Sequence, residues 1–134
     1  MPKVVTCILQ YKNKILILKR SNKVGTYKEM WGGVAGFVEE NEEPYDTAIK
    51  EIKEEVGLDF KDIKLVKKGN YINFQDKYES KTYNWIIFPF LFELKENKII
   101  NLDWEHLEYK WIDPSNISHF KTVPRLKDVI LELL

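Results

Sequence analysis

The segment Gly36–Leu58, GFVEENEEPYDTAIKEIKEEVGL, holds eight carboxylates, seven Glu and one Asp, within 23 residues. The whole chain carries no net charge, because 21 Lys and Arg balance 21 Asp and Glu. The acids are thus a local feature, and their mutual repulsion needs water or a cation to offset it. From Pro44 to Val56 the pattern is helical. Pro44 suits the first turn, Gly57 suits the residue past the end, and Asn41 precedes as a turn residue that tolerates left-handed φ. On a helix turning about 100° per residue, Glu54 and Glu55 fall about −60° and +40° from Glu51, so the three share an arc of roughly 100°. Tyr45, Ile49, Ile52 and Val56 fall at about 100–160° and form the expected core-facing stripe, with the acids beside it. Like charges at these spacings destabilise a helix by about 0.2–0.5 kcal/mol per pair. A hard divalent cation such as Mg²⁺, which takes oxygen ligands, offers compensation.

Outward from this segment the chain reads as one domain, residues 1–134, of class α/β. VVTCILQ (4–10) and ILILK (15–19) flank the polar turn Tyr11–Lys14, which predicts a hairpin with Asn13 at positive φ. A basic loop covers 20–28, and Trp31-Gly-Gly33 leads into VAGFVE. KLVKKGNYINF and TYNWIIFPFLFEL read as two strands around the polar turn QDKYESK, and EYKWI (108–112) as a further short strand. Asp113-Pro114 starts a turn or short helix, and VPRLKDVILELL (123–134) reads as a closing amphipathic helix. With a single cysteine, Cys7, no intramolecular disulfide forms. The longest apolar run, Trp85–Phe92, is far short of the roughly 20 residues of a membrane-spanning helix. With no leader-like start, these features predict a cytoplasmic protein that does not bind membranes. The balanced charge gives no argument for a nucleic-acid partner, and a homodimer is left open.

Gly36-x5-Glu42-x7-Lys50-Glu51-Ile52-x-Glu54-Glu55-x-Gly57-Leu58 resembles the Nudix box, Gly-x5-Glu-x7-Arg-Glu-U-x-Glu-Glu-x-Gly-U with U apolar, at eight of nine fixed positions. Lys50 stands where the family has Arg; a lysine is a point charge and lacks arginine's planar two-pronged contact. The segment Glu105-His106-Leu-Glu-Tyr-Lys-Trp-Ile-Asp-Pro114 is similar to a second family pattern, EHxxYxWxDP. The resemblance implies a Nudix-type α/β/α sandwich with a mixed β-sheet and a loop–helix–loop catalytic box. It implies Mg²⁺-dependent hydrolysis, with Mn²⁺ as a substitute, of a nucleoside diphosphate linked to a further group.

By that resemblance Glu51, Glu54 and Glu55 would ligate metal with the Gly36 carbonyl. Glu42 would orient the cluster opposite Lys50, and Glu51 or Glu105 would be the general base. Glu39 is a further candidate contact. Arg20 is a candidate for phosphate, and Trp31, Phe74, Tyr83 and Trp85 for stacking on a base. Trp111 reads as core, and His106 as structural unless it acts near the site. Two family signatures are absent: the proline of ADP-ribose-cleaving members, where Asn73 and Phe74 stand, and the SQPWPFPxS array of NADH-cleaving members. EHxxYxW leans towards a nucleoside triphosphate or dinucleoside polyphosphate. The alternatives are an ADP-ribose or NADH pyrophosphatase, a non-catalytic nucleotide-sensing module, and an isopentenyl diphosphate isomerase. The isomerase needs an active-site cysteine at a position that Cys7 does not match.

Overall fold

The computed structural model describes residues 2–134. Its frame is a mixed sheet built on β1 (Lys3–Tyr11), β2 (Lys14–Arg20), β3 (Trp31–Gly32), β4 (Val34–Phe37), β5 (Ile63–Lys68), β6 (Ile72–Tyr78), β7 (Lys81–Leu94) and β8 (His106–Ile112). The spatial order is β3-β2-β1-β7-β5, with β4 against β1, β6 against β7 and β8 against β2. β1 and β7 run parallel from Lys3↔Ile86 to Gln10↔Glu93; the other ladders are antiparallel. Two helices, α1 (Pro44–Val56) and α2 (Leu126–Leu133), pack on the frame.

Alternation along the strands divides the core. Val5, Cys7 and Leu9 of β1, Leu16 and Leu18 of β2, and Phe90, Phe92 and Leu94 of β7 pack with Ile52 and Val56 of α1. Ile8, Ile15, Ile17, Ile87 and Leu91 point the other way and pack with Leu126, Val129, Ile130 and Leu133 of α2. The sheet is apolar on both faces and covered on both, which gives the expected sandwich.

The β1–β2 turn has Lys12 at φ 47° and Asn13 at φ 67°, as a two-residue hairpin requires. Three expectations are corrected. KLVKKGNYINF is two strands, β5 and β6, broken at Gly69–Tyr71. QDKYESK is mostly strand: only Glu79 (φ 48°) and Ser80 (φ 68°) turn, and Phe74 faces Trp85 across the β6–β7 hairpin. The buried face of α1 is Thr47, Ala48, Ile52, Glu55 and Val56, whereas Tyr45 is 41 % exposed. The stripe is therefore rotated towards the acids, and Glu55 lies inside it.

Pro89 stands in the middle of β7 without breaking it. Its carbonyl accepts from the Gly69 N–H at 3.0 Å, so its nitrogen faces the same edge. On that edge β6 pairs as far as Ile87 and β5 takes over at Phe90. The missing N–H falls at the handover, where no ladder bond is lost.

α1 ends at Gly57, at φ 76°, with its N–H donating to the Lys53 carbonyl at 3.1 Å. A Cβ there would lie 3.1 Å from the Asn101 Cβ. Gly57→Ala is expected to destabilise the fold by about 1 kcal/mol or more, since a side chain resists left-handed φ. Urea denaturation checks this; an unchanged midpoint would contradict it.

Candidate active site

The N-terminal loop of α1 is held by Glu42. One carboxylate oxygen accepts from the Thr47 hydroxyl at 2.5 Å and from the Glu39 N–H at 3.2 Å. The Lys50 ammonium reaches its two oxygens at 3.1 and 3.4 Å. These bonds, Thr47 first and Lys50 next, hold the Glu42 carboxyl below its ordinary pKa. Glu42 ties the loop to the first two turns of the helix and stands apart from the acids further along it. Thr47 was not singled out from the sequence; its i+5 spacing from Glu42 is the signal that could have found it.

Glu55 is 1 % exposed. Its Oε1 accepts from the Ala35 N–H of β4 at 3.3 Å, and its buried Oε2 has no partner. Glu51, half-buried one turn earlier, lies against Gly36, where a Cβ would sit 2.5 Å from the Glu51 Cδ. Glu105 arrives from the segment before β8. Carboxylate oxygens of Glu51, Glu55 and Glu105 all lie within 4.8 Å of one another, the one such grouping among the described residues. Glu54 is exposed and outside this grouping, and Glu39 is exposed on the loop.

Burial is the first cause of every shift in the trio. It raises the Glu51 carboxyl. It raises Glu55 well above its ordinary value, with Glu51 and Glu105 adding to the rise. Glu105 is pushed to about 7 by burial and then by Asp103. His106, 8 % exposed, sits behind the trio. Its Nδ1 is 3.2 Å from Asp103 Oδ1 and its Nε2 is 3.7 Å from Glu55 Oε1. Burial lowers its pKa. His106 is thus next to the acids, and Asp103, three residues before it, is a partner that sequence reasoning missed.

The trio fits a divalent cation. The donors are hard carboxylate oxygens, one of them a buried atom with nothing to bond, on a helix face where the charged form is otherwise disfavoured.

Beside Glu105 opens a cleft of about 200 Å³, with Arg20 at the same end and Val4, Phe74, Trp85 and Ile87 along its walls. Arg20 ends β2, and its Nε donates to the Thr26 carbonyl at 3.0 Å, which holds the guanidinium beside the cleft it lines. Two aromatic candidates, Phe74 and Trp85, line the cleft. Trp31 does not: it is 7 % exposed, packs against Phe120 at 5.4 Å and belongs to the α2-side core. Phe120 and the α2-side cluster bury it, so it is corrected to a core residue. Tyr83 stacks on Trp85 at 5.4 Å instead of lining the cleft, and Trp111 packs partly buried against the α1-side core.

The raised carboxyl pKa values set a pH dependence. Each acid of the trio binds its proton more tightly folded than unfolded. Its contribution to stability is full below an ordinary carboxyl pKa near 4.5 and lost as pH rises through the folded value, about 7 for Glu105. In chelator the thermal midpoint is expected to fall between pH 5 and pH 8, and Mg²⁺ should restore it most at the upper end. Melting curves at the two pH values decide this; a midpoint that is flat or rising in chelator would contradict it.

Comparison with known proteins identifies the family and the fold. An RNA pyrophosphohydrolase of Bartonella henselae is 32% identical over 111 residues, covering 68% of this chain and 63% of its own length. The chain therefore spans less than two thirds of that relative. An RNA pyrophosphohydrolase of Pelagibacter ubique is 28% identical over 123 residues, covering 83% and 75%. Among solved structures, a C. elegans Ap4A hydrolase binary complex superposes with a TM-score of 0.78, at 16% identity over 98% of this chain and 94% of that one. The MutT protein of Methanosarcina mazei Go1 gives 0.78 at 21% identity, covering 98% and 91%. At these identities the structural likeness shows the shared fold. The NUDIX domain profile matches residues 1–133, and the chain belongs to the Nudix hydrolase family.

Proposed function

We propose that this chain hydrolyses a pyrophosphate bond of a nucleoside diphosphate linked to a further group, with a nucleoside triphosphate or dinucleoside polyphosphate as its substrate class. The observation that carries the reading is the meeting of Glu51, Glu55 and Glu105 within 4.8 Å, beside a cleft that Glu105 and Arg20 line. Relatives named RNA pyrophosphohydrolase and nucleoside triphosphatase NudI, and a neighbour named Ap4A hydrolase, support a phosphoanhydride substrate.

Glu51, Glu55 and Glu105 would hold Mg²⁺ or Mn²⁺, with Glu54 at the rim and the Gly36 carbonyl as further donors. When bound, the ion neutralises phosphate oxygens and stabilises the leaving oxygen. Arg20, held by Thr26, binds a phosphate by paired N–H donors. A carboxylate oxygen of Glu51 or Glu105 left free of the ion takes the proton from the attacking water. Glu42 keeps the loop and helix in register through Lys50 and Thr47. Phe74 and Trp85 form the apolar wall that receives the base.

A panel of nucleoside triphosphates and dinucleoside polyphosphates in Mg²⁺, read by phosphate or pyrophosphate release, tests the reading. Glu55→Gln keeps the shape and removes the charge. It is expected to lower kcat by about 10²-fold or more, on the scale of losing one charge-stabilising group. The same substitution should raise the metal-free thermal midpoint at pH 8, because the cost of burying or protonating a carboxylate at that pH is gone. Full turnover after exhaustive chelation, or with Glu55→Gln, would sink the assignment.

A further inference from the structure

The loop after β2 is held against its own backbone preference. Tyr27 stands at φ 50° and Glu29 at φ 60°. Residues with a side chain persist in that left-handed region only where their surroundings hold them there. The ends of the loop are closed locally: the Arg20 N–H donates to the Met30 carbonyl at 2.9 Å, and the Glu29 N–H to the Arg20 carbonyl at 3.0 Å. The Ser21 N–H donates to the Glu105 carbonyl at 2.7 Å, which ties the loop's start to the segment that carries one acid of the trio.

The far side of the loop is held from β6. Tyr27 is 8 % exposed, and its hydroxyl donates to Asp76 Oδ2 at 2.6 Å. Burial first, and Asp76 next, raise the Tyr27 pKa, so the hydroxyl remains a donor at neutral pH. The Tyr27 ring packs on Tyr78 at 4.8 Å, and the Lys28 N–H donates to the Tyr78 hydroxyl at 3.3 Å. Thr26, the residue before Tyr27, holds Arg20. Its carbonyl accepts from the guanidinium Nε at 3.0 Å and its hydroxyl from Nη2 at 3.4 Å. These bonds leave the Nη1 donors for a phosphate.

We infer that Tyr27 is a positioning residue: with its hydroxyl on Asp76 it holds Thr26 in place, and Thr26 in turn aims the Arg20 guanidinium at a substrate phosphate. This rests on the phosphate role proposed above for Arg20 and deepens it. β2 and β6 do not pair in the sheet, so the ladders themselves do not set Arg20 relative to the β6–β7 hairpin. Thr26 offers only neutral acceptors, one of them at 3.4 Å, and needs support of its own to fix a long charged side chain. Packing supplies little of it, since a Cβ added at the adjacent Gly25 would meet nothing within 4 Å. The bond to Asp76 supplies it instead. Without that bond the backbone at Tyr27 and Glu29 is free to leave positive φ, and Thr26 moves with it. A ligand must then order the arginine at its own cost, which weakens binding.

Calorimetric titration with inorganic pyrophosphate in Mg²⁺ reads the phosphate site apart from turnover. Tyr27→Phe keeps the ring and removes the hydroxyl, Asp76→Ala removes the acceptor, and Asp76→Asn keeps one. Tyr27→Phe and Asp76→Ala should each weaken pyrophosphate binding about tenfold, the scale of one hydrogen bond, while Asp76→Asn keeps most of the affinity. The Asp76 variants keep the test valid should Tyr27→Phe melt early. In an Arg20→Gln background Tyr27→Phe should cost nothing further, because its effect runs through Arg20. With a nucleoside triphosphate as substrate, the loss should fall on KM more than on kcat. Wild-type affinity in both Tyr27→Phe and Asp76→Ala overturns the positioning role, and so does a Tyr27→Phe effect that adds in full to that of Arg20→Gln, as a merely structural one would. Pyrophosphate affinity unchanged by Arg20→Gln would overturn it together with the phosphate role of Arg20. Absence of Mg²⁺-dependent turnover, with the coupling intact, would defeat the catalytic reading alone and support the positioning role.

Discussion

The structure turns on a carboxylate placed where a helix would ordinarily put an apolar side chain. Glu55 lies on the buried face of α1 between Ala48, Ile52 and Val56, with one oxygen on the Ala35 N–H and the other without a partner. A buried charge must be paired, neutralised or protonated. Here the acids crowd together instead of spreading out, so protonation without metal and cation binding with it are the two ways to settle the cluster. The backbone opposite is shaped to allow this. Gly36 leaves room for the Glu51 side chain, and Gly33, whose added Cβ would sit 2.7 Å from the Cys7 carbonyl, lets β4 press onto β1. Both glycines answer a close approach, not a turn.

The cation of the box serves a different acid. Lys50 reaches both oxygens of Glu42 with one nitrogen, at 3.1 and 3.4 Å, and Thr47 adds a hydroxyl. A guanidinium would meet two oxygens with two nitrogens. The ammonium reaches them with a single point charge, and the threonine supplies the directional bond. The pair is partly exposed, so its effect on overall stability is small. Its consequence is positional: the loop before α1 is tied to the helix at its second turn.

What was legible in the sequence was local. The first hairpin, the span of α1, Gly57 beyond its end and Asn41 at φ 67° all follow from turn chemistry and periodicity within a dozen residues. The rotation of α1 was not legible, because a periodicity count treats Glu55 as polar and therefore outward. The same rule turns Tyr45 inward, and it stays 41 % exposed. The Glu79–Ser80 turn lacks the glycine or asparagine that marks such turns, so its flanks looked like loop. Trp31 and Trp85 are the same residue type; only the neighbouring elements put one in the core and the other on the cleft wall. Glu105 stood out through its resemblance to a family segment, but its meeting with Glu51 and Glu55 depends on a fold that brings together residues about 50 positions apart.

The parallel ladder between β1 and β7 carries a consequence for the order of assembly. Lys3 pairs with Ile86 and Gln10 with Glu93, so every rung joins residues 83 positions apart. Contacts at such separation form slowly, since the intervening chain must lose its freedom before they reward it. During synthesis the β1–β2 hairpin can close early, but the centre of the sheet waits until β7 has left the ribosome. α1 packs on β1, β4 and β7 together, so its acidic face has no complete seat until then. A nascent chain halted before residue 81 carries the whole box with β1 and β4 but lacks β7 and Glu105: two acids of the trio are made in the first half of synthesis, and they gain the third and the sheet's centre only in the second.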